Sequence, residues 1–245
     1  MRNIICFLTL RPCELFYNFV KQLPNSENIF ICIDDNNYEI PGYDGKIPII
    51  KYNNTLTQSK GYKSTYLWKD TVSISRDKAL YHFCENDIEY DNIWFLEEDV
   101  FIPTLNTIMD LDNKYQQGDL LVSAHEIFDN DIETLSNLQW PNEWHWKHVS
   151  RQIKLSKPYA KSMICAIRCS KKMLNSIKKY AQKHRNLFLD ECLFNTIAMH
   201  DELDIKVIPE LNTITWNNEW SKELIKPHNL YHPVKCLQTQ YEFRK

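Results

Sequence analysis

The chain has 245 residues, of which 43% are hydrophobic, 25% charged and 13% aromatic, a composition typical of a globular protein with a full core. Its formal net charge of −3 argues against a general binder of nucleic acids or anionic membranes. Only four glycines are present and none are clustered, which excludes a glycine-rich dinucleotide turn and a Walker-type phosphate loop.

The first half of the chain alternates short apolar runs with amphipathic segments. The apolar runs predict strands over Ile4–Arg11, Asn28–Asp34, Ile47–Tyr52, Asn92–Leu96 and Asp119–Ala124. The amphipathic segments predict helices over Glu14–Gln22, Val72–Asn86 and Leu105–Tyr115. This alternation is typical of a strand-helix-strand architecture.

The second half begins with a tryptophan-rich loop at Trp140–Trp146 and continues with further regular elements. Its pattern predicts an extended segment at Tyr159–Cys169, helices at Lys171–His184 and Asp190–His200, and strands at Asp204–Ile208 and Leu211–Trp216. No linker or internal repeat divides the chain. The whole pattern predicts a single α/β domain with a mostly parallel central sheet and helices on both faces.

The pattern of the eight cysteines indicates a reducing compartment, and the apolar start of the chain bears on whether a signal peptide is present. No C-x-x-C pair is present, so buried free thiols are expected rather than disulfides or a zinc site. Arg11 and Pro12 close the initial apolar run after seven residues, which favours a first strand over a signal peptide. Without a signal or membrane anchor, we expect a cytoplasmic protein.

Two acidic clusters follow directly after predicted buried strands, Asp34-Asp35 and Glu97-Glu98-Asp99. Ligands of open α/β sheets bind outside the carboxyl ends of the strands, so both clusters are expected at one crevice. Adjacent carboxylates repel each other and favour a hard cation such as Mg²⁺ or Mn²⁺. The alternative is that these acids cap the next helix or lie in solvated loops.

The stretch from Ile93 to Pro103 (IWFLEEDVFIP) resembles the strand and D-x-D-type metal motif of GT-A-fold glycosyltransferases. It is similar to the variant found in uncharacterised algal, protist and large-DNA-virus glycosyltransferase-like proteins. Ser75–Tyr81 and Tyr231–Lys235 resemble two further segments of that family, in the same order. The abundant Asn, Ile and Lys have A/T-rich codons, which also suggests a viral or protist source.

The resemblance implies a metal site and a nucleotide site. Asp99 would be the principal ligand of Mn²⁺ or Mg²⁺, Glu97 a second metal or ribose contact, and His232 a neutral imidazole ligand, with His228 as its rival. The residues expected to contact the nucleotide are Thr9, Arg11, Asp34, Asp35, Arg76, Glu97 and Lys235. Residues up to about 103 would then form the nucleotide-binding part, and residues from about 104 to 245 the acceptor-side part.

Asp190 and Glu191 are the candidates for a catalytic base, since inverting GT-A enzymes tend to carry one at a helix start downstream of the metal strand. Asp190 could instead be a helix N-cap. Trp140, Trp144 and Trp146 are predicted to bind the acceptor, because indole faces stack on sugar C–H surfaces, although a hydrophobic loop packing on the sheet is equally compatible. His125 and Glu126 could also face the acceptor.

The sequence therefore predicts a metal-dependent glycosyltransferase with a nucleotide-diphosphate sugar donor, UDP being the first carrier and GDP the second, and a glycan acceptor. A diphosphate leaving group gathers negative charge, which a divalent ion stabilises without a glycine-rich cradle. One alternative is a non-catalytic carbohydrate-binding or degenerate transferase-like module. A metal-dependent nucleotidyl enzyme on a similar sheet is another.

Overall fold

A computed structural model describes residues 2–64, 75–139 and 143–245. The described residues form nine β-strands and nine α-helices, with three short 3-10 helices between them. The strands are β1 (Asn3–Thr9), β2 (Ile29–Ile33), β3 (Ile49–Ile50), β4 (Asn92–Glu97), β5 (Leu120–Val122), β6 (Glu126–Phe128), β7 (Tyr159–Lys161), β8 (Ala166–Ser170) and β9 (Ile205–Val207). The helices are α1 (Glu14–Val20), α2 (Asn54–Ser59), α3 (Ser75–Glu85), α4 (Thr107–Lys114), α5 (Ile132–Ser136), α6 (Trp146–Gln152), α7 (Lys171–His184), α8 (Asp190–His200) and α9 (Leu237–Arg244).

Seven strands form one mixed sheet in the order β3-β2-β1-β4-β8-β5-β9, while β6 and β7 form a separate antiparallel pair. Within the large sheet, β8 runs antiparallel to both of its neighbours and the other pairings are parallel. The predicted α/β fold with a mostly parallel sheet and helices on both faces is therefore confirmed. Among the described helices, none combines the length and apolar character needed to cross a membrane.

The central strands are apolar on both faces because helices cover both. In β1, Ile4, Cys6 and Leu8 belong to the core that α3, α7 and α8 cover, whereas Phe7 belongs to the core beneath α1 and α4. Trp94 and Leu96 of β4 lie on the Phe7 side. Continuous apolar runs in β1, β2 and β4 follow directly from this double burial. The cysteines of these cores, among them the predicted buried thiols, are all unpaired.

The C-terminal quarter departs most from the predicted elements. The strand predicted at Leu211–Trp216 is wrong: Leu211 ends a 3-10 helix that begins at Pro209, and the following residues contribute only a single β-bridge between Ile214 and His232. The extended segment predicted at Tyr159–Cys169 is divided between β7 and β8, which belong to different sheets. The sequence pattern also did not indicate strand β6 or the four short helices α2, α5, α6 and α9, each eight residues or shorter.

The carboxyl ends of β1, β2 and β4 lie at one edge of the sheet, since these strands are parallel neighbours. Because β8 runs the opposite way, its beginning reaches that same edge, and the Glu97 backbone N–H donates to the Cys165 carbonyl over 2.9 Å. The edge therefore combines residues that follow β1, β2 and β4 with residues that precede β8.

Candidate active site

Two open crevices meet at this edge of the sheet. The first has a volume of about 440 Å³, and the second about 430 Å³. The first crevice is lined by Leu8, Thr9, Leu10, Asp34, Ser75, Arg76, Glu97, Glu98, Asp99 and Lys235. The second crevice is lined by Glu97, Asp99, Met163, Ile164, Cys165, Asp190, Glu191, Trp216, Asn217, His232 and Lys235. Glu97, Asp99 and Lys235 belong to both, so the junction of the crevices carries two carboxylates and an ammonium group.

His232 is held with one ring nitrogen directed at the acidic cluster. Its Nδ1 lies 2.6 Å from the carbonyl oxygen of Thr215, which can only accept, so Nδ1 carries a proton and donates it. Its Nε2 lies 3.3 Å from Asp99 Oδ1 and 4.0 Å from Glu97 Oε2. Burial disfavours the charged imidazole and is the largest single effect, but the hydrogen bond and charge of Asp99, the hydrogen bond to Thr215 and the charge of Glu97 together raise the pKa of His232.

The segment that begins at Tyr231 is bound through its backbone to the residues that follow β4. The Val234 N–H donates to the Asp99 carbonyl over 2.8 Å, and Phe101 and Tyr231 exchange backbone hydrogen bonds. The His232 N–H donates to the Thr213 carbonyl over 3.1 Å. These bonds place the imidazole of His232 beside Asp99, although the two residues are far apart in sequence.

Arg76 is a buried cation that links two of the acids. Its side chain is 2% exposed, and Nη2 donates to Glu97 Oε1 over 2.5 Å while Nε lies 3.1 Å from Asp190 Oδ2. Nη1 donates to the Ile164 carbonyl over 2.9 Å. The guanidinium is engaged by protein carboxylates and also borders the first crevice, so the predicted phosphate contact of Arg76 stays a prediction.

The two acids at the start of α8 have different surroundings. Asp190 is paired with Arg76, and its Oδ1 accepts from the Glu191 backbone N–H over 3.0 Å. Glu191 lines the second crevice, where its Oε2 accepts from the Trp144 indole N–H over 3.2 Å. Burial and the nearby charge of Asp190 raise the pKa of Glu191 to about 7.

On the other side of the first crevice, two acids are held by neighbours at the ends of β1 and β2. The Thr9 hydroxyl donates to Glu98 Oε2, so Glu98 faces β1 and not the junction. Asp34 lies 3.2 Å from the ammonium group of Lys78, whose side chain is fully buried. Burial raises the pKa of Asp34, and the ammonium group of Lys78 opposes that rise.

Several predicted site residues lie elsewhere. Arg11 and Asp35 pair with each other over 2.7 Å and do not line the described part of either crevice. His228 lies 3.9 Å from Asp110 on α4, away from the acidic junction. His125 lies directly before β6, with its Nδ1 2.9 Å from the amide nitrogen of buried Asn195.

The tryptophan-rich loop requires a correction. Trp146 is 1% exposed and packs on Phe128 with ring centroids 4.8 Å apart, so its indole belongs to the core and cannot meet an acceptor. Trp144 is half-buried and holds Glu191 through its N–H. Trp140 lies outside the described residues. The indole with an open face at the second crevice is Trp216, which is 70% exposed.

Sequence reasoning missed three residues of the site. Trp216 falls in a predicted strand, and Cys165 among thiols that are expected only to be buried. Lys78 falls in a predicted helix, and its ion pair with Asp34 does not follow from that prediction. The one available signal was Lys78 itself, because a lysine on the apolar face of a helix needs a buried counter-charge.

The donor set at the junction fits a divalent cation. Six carboxylates line the two crevices, namely Asp34, Glu97, Glu98, Asp99, Asp190 and Glu191. Arg76 and Lys235 are the permanent cations of these linings. The Nε2 atom of His232 lies 3.3 Å from Oδ1 of Asp99, and carboxylate oxygens with one imidazole nitrogen are suitable ligands for Mn²⁺ or Mg²⁺.

No known family profile matches this sequence, and no curated protein is significantly similar to it. Among solved structures, an active-site mutant of LgtC covers 98% of this chain and 94% of its own, with 12% identity and a TM-score of 0.47. Mouse xyloside xylosyltransferase 1 covers 84% of this chain and 85% of its own, with 10% identity and a TM-score of 0.37. HddC from Yersinia pseudotuberculosis covers 71% and 79%, with 9% identity and a TM-score of 0.27. All three TM-scores are below 0.5.

Proposed function

We propose that this protein is a metal-dependent glycosyltransferase that moves a sugar from a nucleotide-diphosphate donor to a hydroxyl group of a glycan. UDP is the first candidate for the carrier and GDP the second. The observation that carries this proposal is the junction of two crevices at Glu97, Asp99 and Lys235, with His232 beside it. One crevice would take the nucleotide and the other the acceptor, so the sugar to be transferred would lie where they meet.

The charge of the first crevice supports a donor that arrives with a cation. A diphosphate is anionic and would be repelled by the carboxylates of Asp34, Glu97, Glu98 and Asp99. Asp99, Glu97 and His232 would hold Mn²⁺ or Mg²⁺, and the bound ion would neutralise the charge of the leaving diphosphate. Lys235 has no hydrogen bond or ion pair within the described residues, so its ammonium group is available for a phosphate oxygen.

The division of the chain follows the same proposal. Residues 1 to about 103 would supply Thr9 and Asp34 for the nucleoside side of the donor, together with the carboxylates of the metal site. Residues from about 104 onwards would form the acceptor side, and the segment around His232 would return to complete the metal site.

On the acceptor side, Glu191 is the base that we propose. A catalytic base must face the crevice, and Glu191 lines it. The base must also be able to take up a proton near neutral pH, and the raised pKa of Glu191 suits that transfer. Trp144 would hold the carboxylate in place through its N–H. Asp190 would act through Arg76 as a positioning residue, because its carboxylate is already paired. The exposed face of Trp216 would stack on an acceptor sugar.

The test is a panel of nucleotide sugars scored for donor hydrolysis with and without Mn²⁺, combined with calorimetry of UDP and GDP binding. We expect Mn²⁺-linked binding of one nucleotide and slow hydrolysis of one of its sugars. Asp99→Ala should abolish the Mn²⁺-linked binding and leave the fold intact. Asp110→Ala, an exposed carboxylate on α4, is the matched control and should bind as the wild type does. Sugar binding that needs neither metal nor nucleotide would instead indicate a non-catalytic carbohydrate-binding module.

A further inference from the structure

A sulfur atom lies next to the proposed metal ligands. The Cys165 Sγ, one ring nitrogen of His232 and one carboxylate oxygen of Glu97 all lie within 4.8 Å of one another. Among residues 2–64, 75–139 and 143–245, these three side chains therefore lie close enough for one ion to contact all of them after a small movement. Cys165 reaches this place because it directly precedes β8, the antiparallel strand.

The spacing of these three atoms is close to that of a tetrahedral site. Zinc binds thiolate at about 2.3 Å and imidazole or carboxylate at about 2.0–2.2 Å, so its ligand atoms lie about 3.3–3.8 Å apart. Closing the present arrangement therefore needs side-chain movements of about 1 Å. Asp99, whose Oδ1 lies 3.3 Å from His232 Nε2, would be the fourth donor.

The type of donor decides which ion this arrangement prefers. Oxygen ligands suit Mg²⁺ and Mn²⁺, whereas a thiolate favours Zn²⁺ and ions that resemble it. An ion that binds there forms a sulfur–metal bond while the thiol releases its proton to solvent.

We propose that Cys165, Glu97 and His232 form a sulfur-containing site for a zinc-like divalent ion at the junction of the two crevices. This site shares Glu97 and His232 with the ligand set proposed for Mn²⁺ or Mg²⁺, so the two kinds of ion compete. Zinc binding needs neither nucleotide nor sugar, and it can therefore be tested independently of the glycosyltransferase proposal.

The experiment is a titration of the full chain with Co²⁺ alone, a spectroscopic substitute for Zn²⁺. A cobalt–thiolate bond gives an intense charge-transfer band in the near ultraviolet, which oxygen and nitrogen ligands do not give. We expect this band in the wild type and its loss on addition of Zn²⁺, which binds more tightly than Co²⁺. Cys165→Ser should lose the band. A double variant, Cys13→Ser with Cys236→Ser, is the matched control, because it removes the two exposed thiols, and it should keep the band.

Two further variants protect the test against a folding defect in Cys165→Ser. Cys165→Ala should also lose the band, and thermal unfolding checks that each variant is folded. In His232→Ala the thiol is retained, but the Co²⁺ affinity should fall by at least the 10–100-fold that loss of a supporting residue typically costs. A wild type without the band overturns the proposal. A band that survives in folded Cys165→Ser and Cys165→Ala overturns it too, as does a band that is lost only in the double variant of Cys13 and Cys236. An unchanged Co²⁺ affinity in His232→Ala also overturns the proposal.

Discussion

The Nε atom of Arg76 lies 3.1 Å from Oδ2 of Asp190, and both side chains are almost completely buried. The negative charge of Asp190 is therefore committed to a guanidinium inside the protein. Glu191, the next residue, has no cation within ion-pair distance among the described residues and faces the second crevice. The two adjacent acids therefore differ in their surroundings, and we expect substitution of Glu191 to affect turnover and substitution of Asp190 to affect stability.

Glu191→Gln should lower kcat by about 10²–10⁴-fold and leave the nucleotide affinity nearly unchanged, because a base acts in the transition state. Asp190→Asn should mainly reduce stability, by about 3 kcal/mol, since Arg76 loses one of its buried counter-charges and keeps Glu97. Steady-state kinetics and denaturant unfolding of both variants measure these effects. Normal turnover in a stable Glu191→Gln protein would show that the base lies elsewhere.

The pH dependence of the reaction should report the raised pKa of Glu191. A base is active when deprotonated, so kcat/KM should fall about tenfold per unit as the pH drops below about 7. A glutamate with its ordinary pKa of about 4.3 would keep the activity constant down to about pH 5. In Glu191→Gln the residual activity should lose this acid limb. A wild-type profile that stays flat between pH 5 and 7 would contradict the assignment.

His232 and His228 form a matched pair for the metal site. His232→Ala should weaken Mn²⁺-linked nucleotide binding by at least about tenfold, because a ligand that the Thr215 carbonyl holds in position is lost. His228→Ala should have no such effect, since His228 is exposed and lies near Asp110. Calorimetry with UDP or GDP and Mn²⁺ measures both. Equal effects of the two substitutions would rule out a special role for His232.

Trp216→Ala should raise the KM for the acceptor about tenfold, equivalent to about 1.4 kcal/mol, and leave donor hydrolysis unchanged. The physical reason is the loss of an aromatic face that is 70% exposed at the second crevice. Tyr241→Ala is the control, since Tyr241 is also exposed but lies on α9 outside both crevices. The measurement uses the acceptor found in a transfer screen. An unchanged acceptor KM would exclude stacking on Trp216.

Gly61→Ala should destabilise the fold by at least about 2 kcal/mol. Gly61 has a φ of +92°, and a Cβ there would lie 2.4 Å from the carbonyl oxygen of Ala181. Gly45→Ala is the control that separates backbone strain from the steric contact. Gly45 also has a positive φ, of +80°, but no atom lies within 4 Å of the added Cβ. Its cost should be about 1 kcal/mol, from backbone strain alone. Urea unfolding of both variants checks the difference, and equal losses would argue against the steric contact.

Some of the site could be read from the order of residues along the chain. Asp34 and Glu97 each follow a continuous apolar run, and such runs become strands buried on both faces. Parallel strands end at the same edge, so their shared crevice follows from local pattern and a general rule of sheet topology. The site residues on strand ends were predictable for this reason.

Other parts of the site depend on contacts between distant segments. The direction of β8 brings Cys165 to the acidic edge, and the apolar residues of β8 would bury equally well in a parallel strand. The sequence predicts that Trp146 faces an acceptor and that Trp216 lies in a strand, but Trp146 is buried and Trp216 is exposed. Exposure depends on which residues pack against each ring, and those residues come from distant segments. The pairing of Arg76 with Asp190 likewise joins residues of α3 and α8 that no spacing connects.

The sequence by itself determined the α/β class, the central strands and the acids at their ends, because apolar periodicity and strand burial are local properties of the chain. The tertiary structure alone decided which of these acids remain available. Arg76 pairs with Asp190 and with Oε1 of Glu97, Lys78 pairs with Asp34, and Thr9 donates to Glu98. Among the described residues, Oε2 of Glu97, Asp99 and Glu191 have no lysine or arginine partner, and all three residues line the second crevice. Whether a buried carboxylate is paired or free to bind a ligand depends on its nearest neighbours. Those neighbours come from segments that only folding brings together.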